Sequence, residues 1–359
     1  EGTNFVGCPK TEFDWSTIEG KLVVAHNAQF DETLYLYGVD KKWWPYFKYD
    51  QWMCTADLAA FCGLPRSLKG ATTTLYDLEV DKSTRDNMSG KRWDDMTKEF
   101  QKEVDEYALK DSELCLKLWQ DLEGDWPAHE RQISLTNRRC VQRGIPIDTE
   151  LLLEQQKEIA SRLFEAENCI PWIDEFPPLS RKAFNEECHK VGLDPPASLA
   201  LTDEDANKWI AENEEEYKWI SAVRNFRRIN SLKRKLESFE YATMGDDRYY
   251  GGLLYHGAHT GRFSGSGGNL NLQNLPRGKM FGVDLRSLIS PKKGKKLVVV
   301  DLSQIEVRTL CWLAEDEITL GEIKDSDDIY EAFAIRFGKW DKSKGVLKKE
   351  NPSLRHLVK

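Results

Sequence analysis

The chain has 359 residues, 51 of them Lys or Arg and 60 Asp or Glu, for a formal net charge of −9. That length predicts about two or three domains, and the acidic total leaves a nucleic-acid partner open, because phosphate contacts depend on local basic patches. Eight cysteines without a C-x-x-C pair, in a chain of this size, exclude a disulfide scaffold and point to reduced thiols in a cytosolic setting; no run of about 18 apolar residues occurs, so no membrane-spanning helix is expected.

Lys21 to Asn27 is a short apolar run ending in polar residues and predicts a strand, followed by a helix over Phe30 to Tyr37. Phe100 to Leu122 carries apolar residues at Val104, Leu109, Leu114, Leu116 and Leu118 on an otherwise charged background, which predicts a long helix. Strand and helix in alternation suggest an α/β domain, and Glu123 to Pro127 ends it, because Gly and Pro stop helices. A second helix, Glu130 to Arg143, closes on Gly144, placed as a C-cap. Ile145 to Asp148 is extended, and Asp148 is placed to cap a helix over Leu151 to Glu167. From Pro171 to Met244 the pattern is helical and charged, broken at Pro177-Pro178 and Pro195-Pro196, with a basic cluster at Arg224, Arg227, Arg228, Lys233, Arg234 and Lys235. Such a cluster is either a solvated helix face or a surface for the nucleic-acid backbone. Cys188-His189 lacks zinc-ligand spacing.

The segment Leu297 to Ala314, LVVVDLSQIEVRTLCWLA, is the most informative. Val298, Val299 and Val300 are β-branched and read as a strand buried on both faces. Val307, Leu310, Cys311 and Ala314 recur at helical spacing. Asp301 therefore falls where a strand ends and a helix begins. A carboxylate there suits a hard cation such as Mg²⁺, and it equally suits a helix cap.

The pattern D-x-S-Q-I-E-x-R over Asp301 to Arg308 resembles motif A of family A DNA polymerases. Thr260-Gly261-Arg262 followed by Asn271-Leu272-Gln273-Asn274-Leu275-Pro276 resembles the motif upstream of it in that family. Asp328-Ile329-Tyr330 resembles the short segment downstream, and Arg355 with Lys359 the first half of motif B, R-x-x-x-K. Gly144 to Asp148 is similar to the family's segment after the exonuclease, and His256 to Gly265 leans towards bacteriophage members. Within that resemblance, Asn27-x-x-x-Asp31 and Tyr107-x-x-x-Asp111 look like the second and third motifs of a proofreading 3′–5′ exonuclease of the Asp-Glu-Asp-Asp-Tyr group. Tyr107 and Asp111, four apart, share a helical face.

The resemblance implies a multidomain α/β and α+β fold. A ribonuclease H-like exonuclease domain (1–127) would be followed by a helical thumb with connecting helices (128–250), then the palm of a right-hand polymerase with the start of the fingers (251–359). It implies template-directed DNA synthesis from dNTPs on primer–template DNA with two Mg²⁺ per active site. Asp301 and the carbonyl of Leu302 would be metal ligands, Glu306 the gate that disfavours a ribose 2′-hydroxyl, and Arg355 and Lys359 the grip on the triphosphate. Arg262, Asn271, Gln273, Asn274 and the basic cluster would contact DNA. Minor-groove acceptors are nearly the same for every base pair, so such donors can test pair geometry without reading sequence. Asp31 and Asp111 would help hold two metals about 4 Å apart in the exonuclease, with Tyr107 orienting the attacking water. A phage-type enzyme would work in the cytoplasm of a bacterial host. Arg308 is expected to be structural and could pair with a nearby carboxylate.

One departure stands out. The first exonuclease motif, D-x-E, does not precede Asn27 on the initial strand, Glu12 and Asp14 having the reverse order. With no initiator Met, and with Lys359 inside a predicted helix, the sequence is read as cut at both ends and little nuclease activity is expected. Rival readings are a non-catalytic DNA-binding fragment, a stand-alone 3′–5′ exonuclease, which leaves Thr260 to Lys359 unexplained, and a single-subunit RNA polymerase, which Glu306 disfavours.

Overall fold

A computed structural model describes residues 4–78, 83–243, 245–266, 270–324 and 328–359. The chain divides into two units, Glu1–Lys295 and Lys296–Lys359. The first begins with a βαβ unit: β1 (Leu22–Ala25), α1 (Ala28–Asp40) and β2 (Gln51–Cys54). The strands pair in parallel, Leu22 opposite Gln51 and Ala25 opposite Cys54. Strand alternation decides their burial. Trp52 and Cys54 enter one core with Ala28, Tyr35, Trp44 and Ala56, whereas Met53 points into another with Leu58, Ala59, Leu118, Trp119 and Trp126. The sheet is thus covered on both faces. Helices α2 (Thr55–Phe61), α3 (Leu68–Tyr76) and α4 (Ser83–Met88) lead to α5 (Lys98–Leu122). Thr97 caps α5 by accepting from the Phe100 N–H. Of its predicted apolar face, Val104, Leu114 and Leu118 are buried, while Leu116 is 51% exposed.

Helix α6 (Ala128–Arg143) ends at Gly144, whose φ of 67° is left-handed. A Cβ there would come 2.9 Å from the Tyr250 ring, so both backbone and space call for glycine. Strand β3 (Ile145–Pro146) follows, and Asp148 caps α7 (Thr149–Asn168) by accepting from the Leu151 N–H, as its position predicts. Two shorter helices, α8 (Arg181–Lys190) and α9 (Glu204–Asn213), precede the 26-residue α10 (Lys218–Thr243). The core between α7 and α10 takes in Leu152, Ile159, Ile229, Leu236 and Phe239, and continues through Leu270, Leu275 and Leu288, so packing is continuous across residue 250. Cys188 is fully buried in it, a packing role. Strand β4 (Arg248–Tyr249) runs antiparallel to β3, and β5 (Gly252–Leu254) antiparallel to β6 (Ser264–Ser266). Ser264–Ser266 is thus a strand, and the glycines that follow it, Gly267 and Gly268, lie outside the described residues.

The second unit is helical: α11 (Ile305–Leu313), α12 (Glu317–Lys324), α13 (Ile329–Arg336), α14 (Leu347–Glu350) and α15 (Pro352–Val358). Its small core joins Cys311, Ile323 and Ile329. The buried strand expected at Val298–Val300 does not form. These residues lie outside regular structure, each more than 80% exposed. A strand is made by its hydrogen-bonding neighbours, and none among the described residues pairs with this run.

Candidate active sites

At the carboxyl end of β1 the chain turns into α1 through Asn27, which adopts φ 70°, a left-handed conformation that Asn tolerates better than most residues. One turn into α1 lies Asp31. Across a cleft of about 970 Å³, α5 presents Tyr107 and Asp111 four residues apart, so Asn27, Asp31, Tyr107 and Asp111 line one cavity. Burial raises the Asp31 carboxyl above its ordinary range. Burial, and then a hydrogen bond to Asp111, raise the Tyr107 phenol. Phe30 and Leu34 also line the cleft, 64% and 44% exposed.

His26, for which no motif gives a role, also lines this cleft. Burial lowers its pKa and so favours the neutral imidazole. Its Nε2 is 2.9 Å from the Arg66 carbonyl, which can only accept, so Nε2 carries the proton. Nδ1 then accepts from the Thr55 hydroxyl at 2.9 Å. The cue was its place at the strand's end beside Asn27.

The basic cluster of α10 separates by face. Arg227, Arg234 and Lys235 line a second cleft, about 1250 Å³, with Tyr241 and Tyr250, which are 81% and 45% exposed. The others point elsewhere. Arg224 donates to Asn207 and at 3.5 Å to the Ala200 carbonyl. Arg228 lies over the Phe281 ring at 5.0 Å. Lys233, 3.7 Å from Glu237, makes a surface ion pair. Six charges in sequence are thus three in one groove, because 100° per residue scatters a run around the helix.

Asn271 accepts from the Gln273 N–H at 2.9 Å and starts a 3-10 turn over Leu272–Asn274. Gln273 donates at 3.3 Å to the Phe263 carbonyl, and its neighbour Asn274 is exposed, as is Arg262. Leu270 is a core residue whose carbonyl accepts from the Tyr249 hydroxyl at 2.8 Å.

In the second unit Asp301 does not cap α11; Gln304 occupies that position, with φ 52°. Asp301 is exposed, and no described residue hydrogen-bonds to it. The turn behind it is held twice. Arg308 donates to the Ser303 carbonyl at 2.9 Å, a carbonyl rather than the carboxylate expected. Gln304 donates from Nε2 to Asp328 at 3.0 Å and accepts from the Ile329 N–H at 3.3 Å. Asp328 grips Arg355, with Nε to Oδ2 at 2.6 Å and Nη2 to Oδ1 at 3.3 Å. Burial opposes the Asp328 charge, but Arg355, the Tyr330 N–H and Gln304 outweigh it and hold the carboxyl below its usual range. Lys359 follows the last residue of α15 rather than lying within it, and is exposed. Glu306 sits in the exposed first turn of α11. The Gln304–Asp328 link is not legible in the sequence: both residues belong to motifs, but their contact spans 24 residues.

Both groups of carboxylates are hard oxygen donors of the kind Mg²⁺ takes. Mg²⁺ commonly binds through one or two carboxylates with water and phosphate oxygens completing its shell. An exposed Asp301 and the facing pair Asp31 and Asp111 fit that pattern, although no cluster of three such ligands occurs among the described residues.

Among relatives, a DNA polymerase of Bacillus phage SP02 is 23% identical over 88% of this chain and 54% of its own length. DNA polymerase I of Borreliella burgdorferi is 28% identical over 47% of this chain and 18% of its own. The chain thus spans about half, or less, of the curated relatives it matches. A solved structure, the POL domain of Pol1 from M. smegmatis in complex with DNA primer-template and dNTP, matches with a TM-score of 0.62 at 18% identity, covering 93% of this chain and 56% of that one. The fold is that of a polymerase domain. The profile of DNA polymerase family A matches residues 150–351, more than half of the sequence, and the chain belongs to that family.

Proposed function

We propose that this chain supplies part of a template-directed DNA polymerase that extends a primer 3′ end with dNTPs. The observation that carries the reading is Asp301, exposed on a turn that Gln304 and Asp328 tie to Arg355. Asp301 and the Leu302 carbonyl would hold magnesium, Glu306 would exclude a 2′-hydroxyl, and Arg355 with Lys359 would neutralise the triphosphate. When bound, the two ions neutralise charge on the attacking and leaving oxygens. The protein's share is to place the carboxylate and cationic donors so that they need not reorganise during transfer. Residues 128–250 and 251–359 are assigned as thumb and palm, and the phage relative supports a viral replication role. Primer extension by the longest product of the reading frame, and its dependence on Asp301, tests this reading.

The cleft holding Arg227, Arg234 and Lys235 is assigned to the DNA backbone, with Arg262, Asn271, Gln273 and Asn274 at the primer–template duplex. Primer–template affinity is expected to fall steeply between about 50 and 200 mM salt, because each neutralised phosphate releases counterions. Arg234→Gln is expected to flatten the slope of log K against log salt by about one, and Lys233→Gln to leave it unchanged. A flat slope in the unmodified protein, measured by fluorescence anisotropy, refutes the assignment.

Residues 1–127 are assigned as a ribonuclease H-like 3′–5′ exonuclease domain, supported by the parallel β1–α1–β2 unit and by the cleft that joins Asp31, Tyr107 and Asp111. Asp31 and Asp111 would bind metal, Tyr107 would orient water, and Phe30 and Leu34 offer apolar contacts to a frayed base. Two carboxylates are a thin donor set for two ions, so degradation of single-stranded DNA with Mg²⁺ is expected to be slight. Robust cleavage that disappears with Asp111→Ala would contradict that expectation.

A further inference from the structure

The Asp328–Arg355 pair uses only one edge of the guanidinium. Nε and Nη2, its side-on fork, face the two carboxylate oxygens. The Tyr330 ring lies 5.0 Å from the guanidinium carbon and fixes the plane. The end-on fork, formed by Nη1 and the outer N–H of Nη2, has no hydrogen-bond partner among the described residues, and Arg355 is partly exposed. A fork of that shape matches two oxygens of a phosphate. Gln304 joins the same carboxylate from the other side, at 3.0 Å, and it lies three residues after Asp301. Asp328 also caps α13 by accepting from the Tyr330 N–H.

We infer that Asp328, set by Gln304, is a positioning residue that holds Arg355 with its end-on fork presented to the triphosphate of an incoming nucleotide, linking that grip to the turn carrying Asp301. The inference rests on the proposed polymerase reading. Asp328 touches no substrate; it acts by fixing a guanidinium that would otherwise lose rotamer freedom on binding, so its contribution falls on nucleotide affinity more than on chemistry.

The test is primer extension with the longest product of the reading frame, comparing Arg355→Gln, Asp328→Ser and the double variant. Serine keeps the helix cap but cannot reach the guanidinium. Asp328→Ser is expected to raise KM for dNTP about ten-fold with kcat changed less than about three-fold, as loss of ground-state and transition-state binding alike requires. Asp328→Asn, which keeps one acceptor, is expected to recover part of that loss. The double variant is expected to be no worse than Arg355→Gln, because the two residues act as one. If Arg355→Gln raises KM and Asp328→Ser does not, or if the effects add, the positioning role is overturned while the grip stands. If Arg355→Gln itself leaves KM unchanged, the triphosphate reading of Arg355 fails, and the inference with it. Unchanged circular dichroism in Asp328→Ser separates these outcomes from misfolding.

Discussion

Arg138→Ala is expected to destabilise the first unit by about 3–5 kcal/mol, the usual cost of removing one partner from a buried ionic cluster. Arg138, on α6, is 3% exposed and its guanidinium donates to the Trp52 carbonyl of β2. Its Nη1 lies 3.7 Å from Asp57, and its Nε 4.0 Å from Glu32. Asp57 and Glu32 are each only 4% exposed. Arg66 reaches Asp57 at 2.5 Å, and Ser134 donates to it at 2.5 Å. Glu32, by contrast, has Arg138 as its cation and the Tyr49 hydroxyl as a donor at 3.1 Å. Deleting the guanidinium leaves the buried Glu32 without this cationic partner, and leaves the Trp52 carbonyl without this donor. Urea denaturation followed by tryptophan fluorescence measures the effect through the midpoint at unchanged m. Replacing Arg138 and Glu32 together by apolar residues is expected to recover part of the loss, because the stranded charge is then gone. A loss below about 1 kcal/mol for Arg138→Ala would mean that the cluster is screened like a surface pair.

Asp301→Asn is expected to lower primer extension by about 10³-fold or more, the scale on which a metal-anchoring carboxylate acts in phosphoryl transfer. The substitution is isosteric and the side chain is exposed, so stability and primer–template affinity are expected to hold. On the proposed polymerase reading the loss appears in kcat, because the carboxylate would act on charge that develops during transfer. Extension within about ten-fold of the unmodified protein would remove Asp301 from the chemistry. Binding measured in parallel by anisotropy separates a catalytic defect from a failure to engage DNA.

Much of the helical framework could be read directly from short-range pattern. The long α5, the stop at Gly144, the cap at Asp148 and the start of α7 all depend on contacts within about four residues. The Tyr107–Asp111 pair was legible for the same reason. Motif order carried the family, which the profile over 150–351 then matched. Less legible was the basic run on α10: the sequence shows six charges, but only the packing around the helix decides which three share a groove.

Local sequence determined where helices begin and end, and which carboxylates and amides stand at turns, since caps and 3.6-residue periodicity are properties of neighbouring residues. Tertiary structure alone decided three things: that Val298–Val300 stay exposed, that Arg138 bridges Glu32 and Asp57 from another helix, and that Gln304 reaches Asp328. The physical reason is common to all three. Sheet pairing, buried ion clusters and side-chain relays depend on partners distant in sequence, and β-branched propensity or a lone charge does not specify which partner arrives.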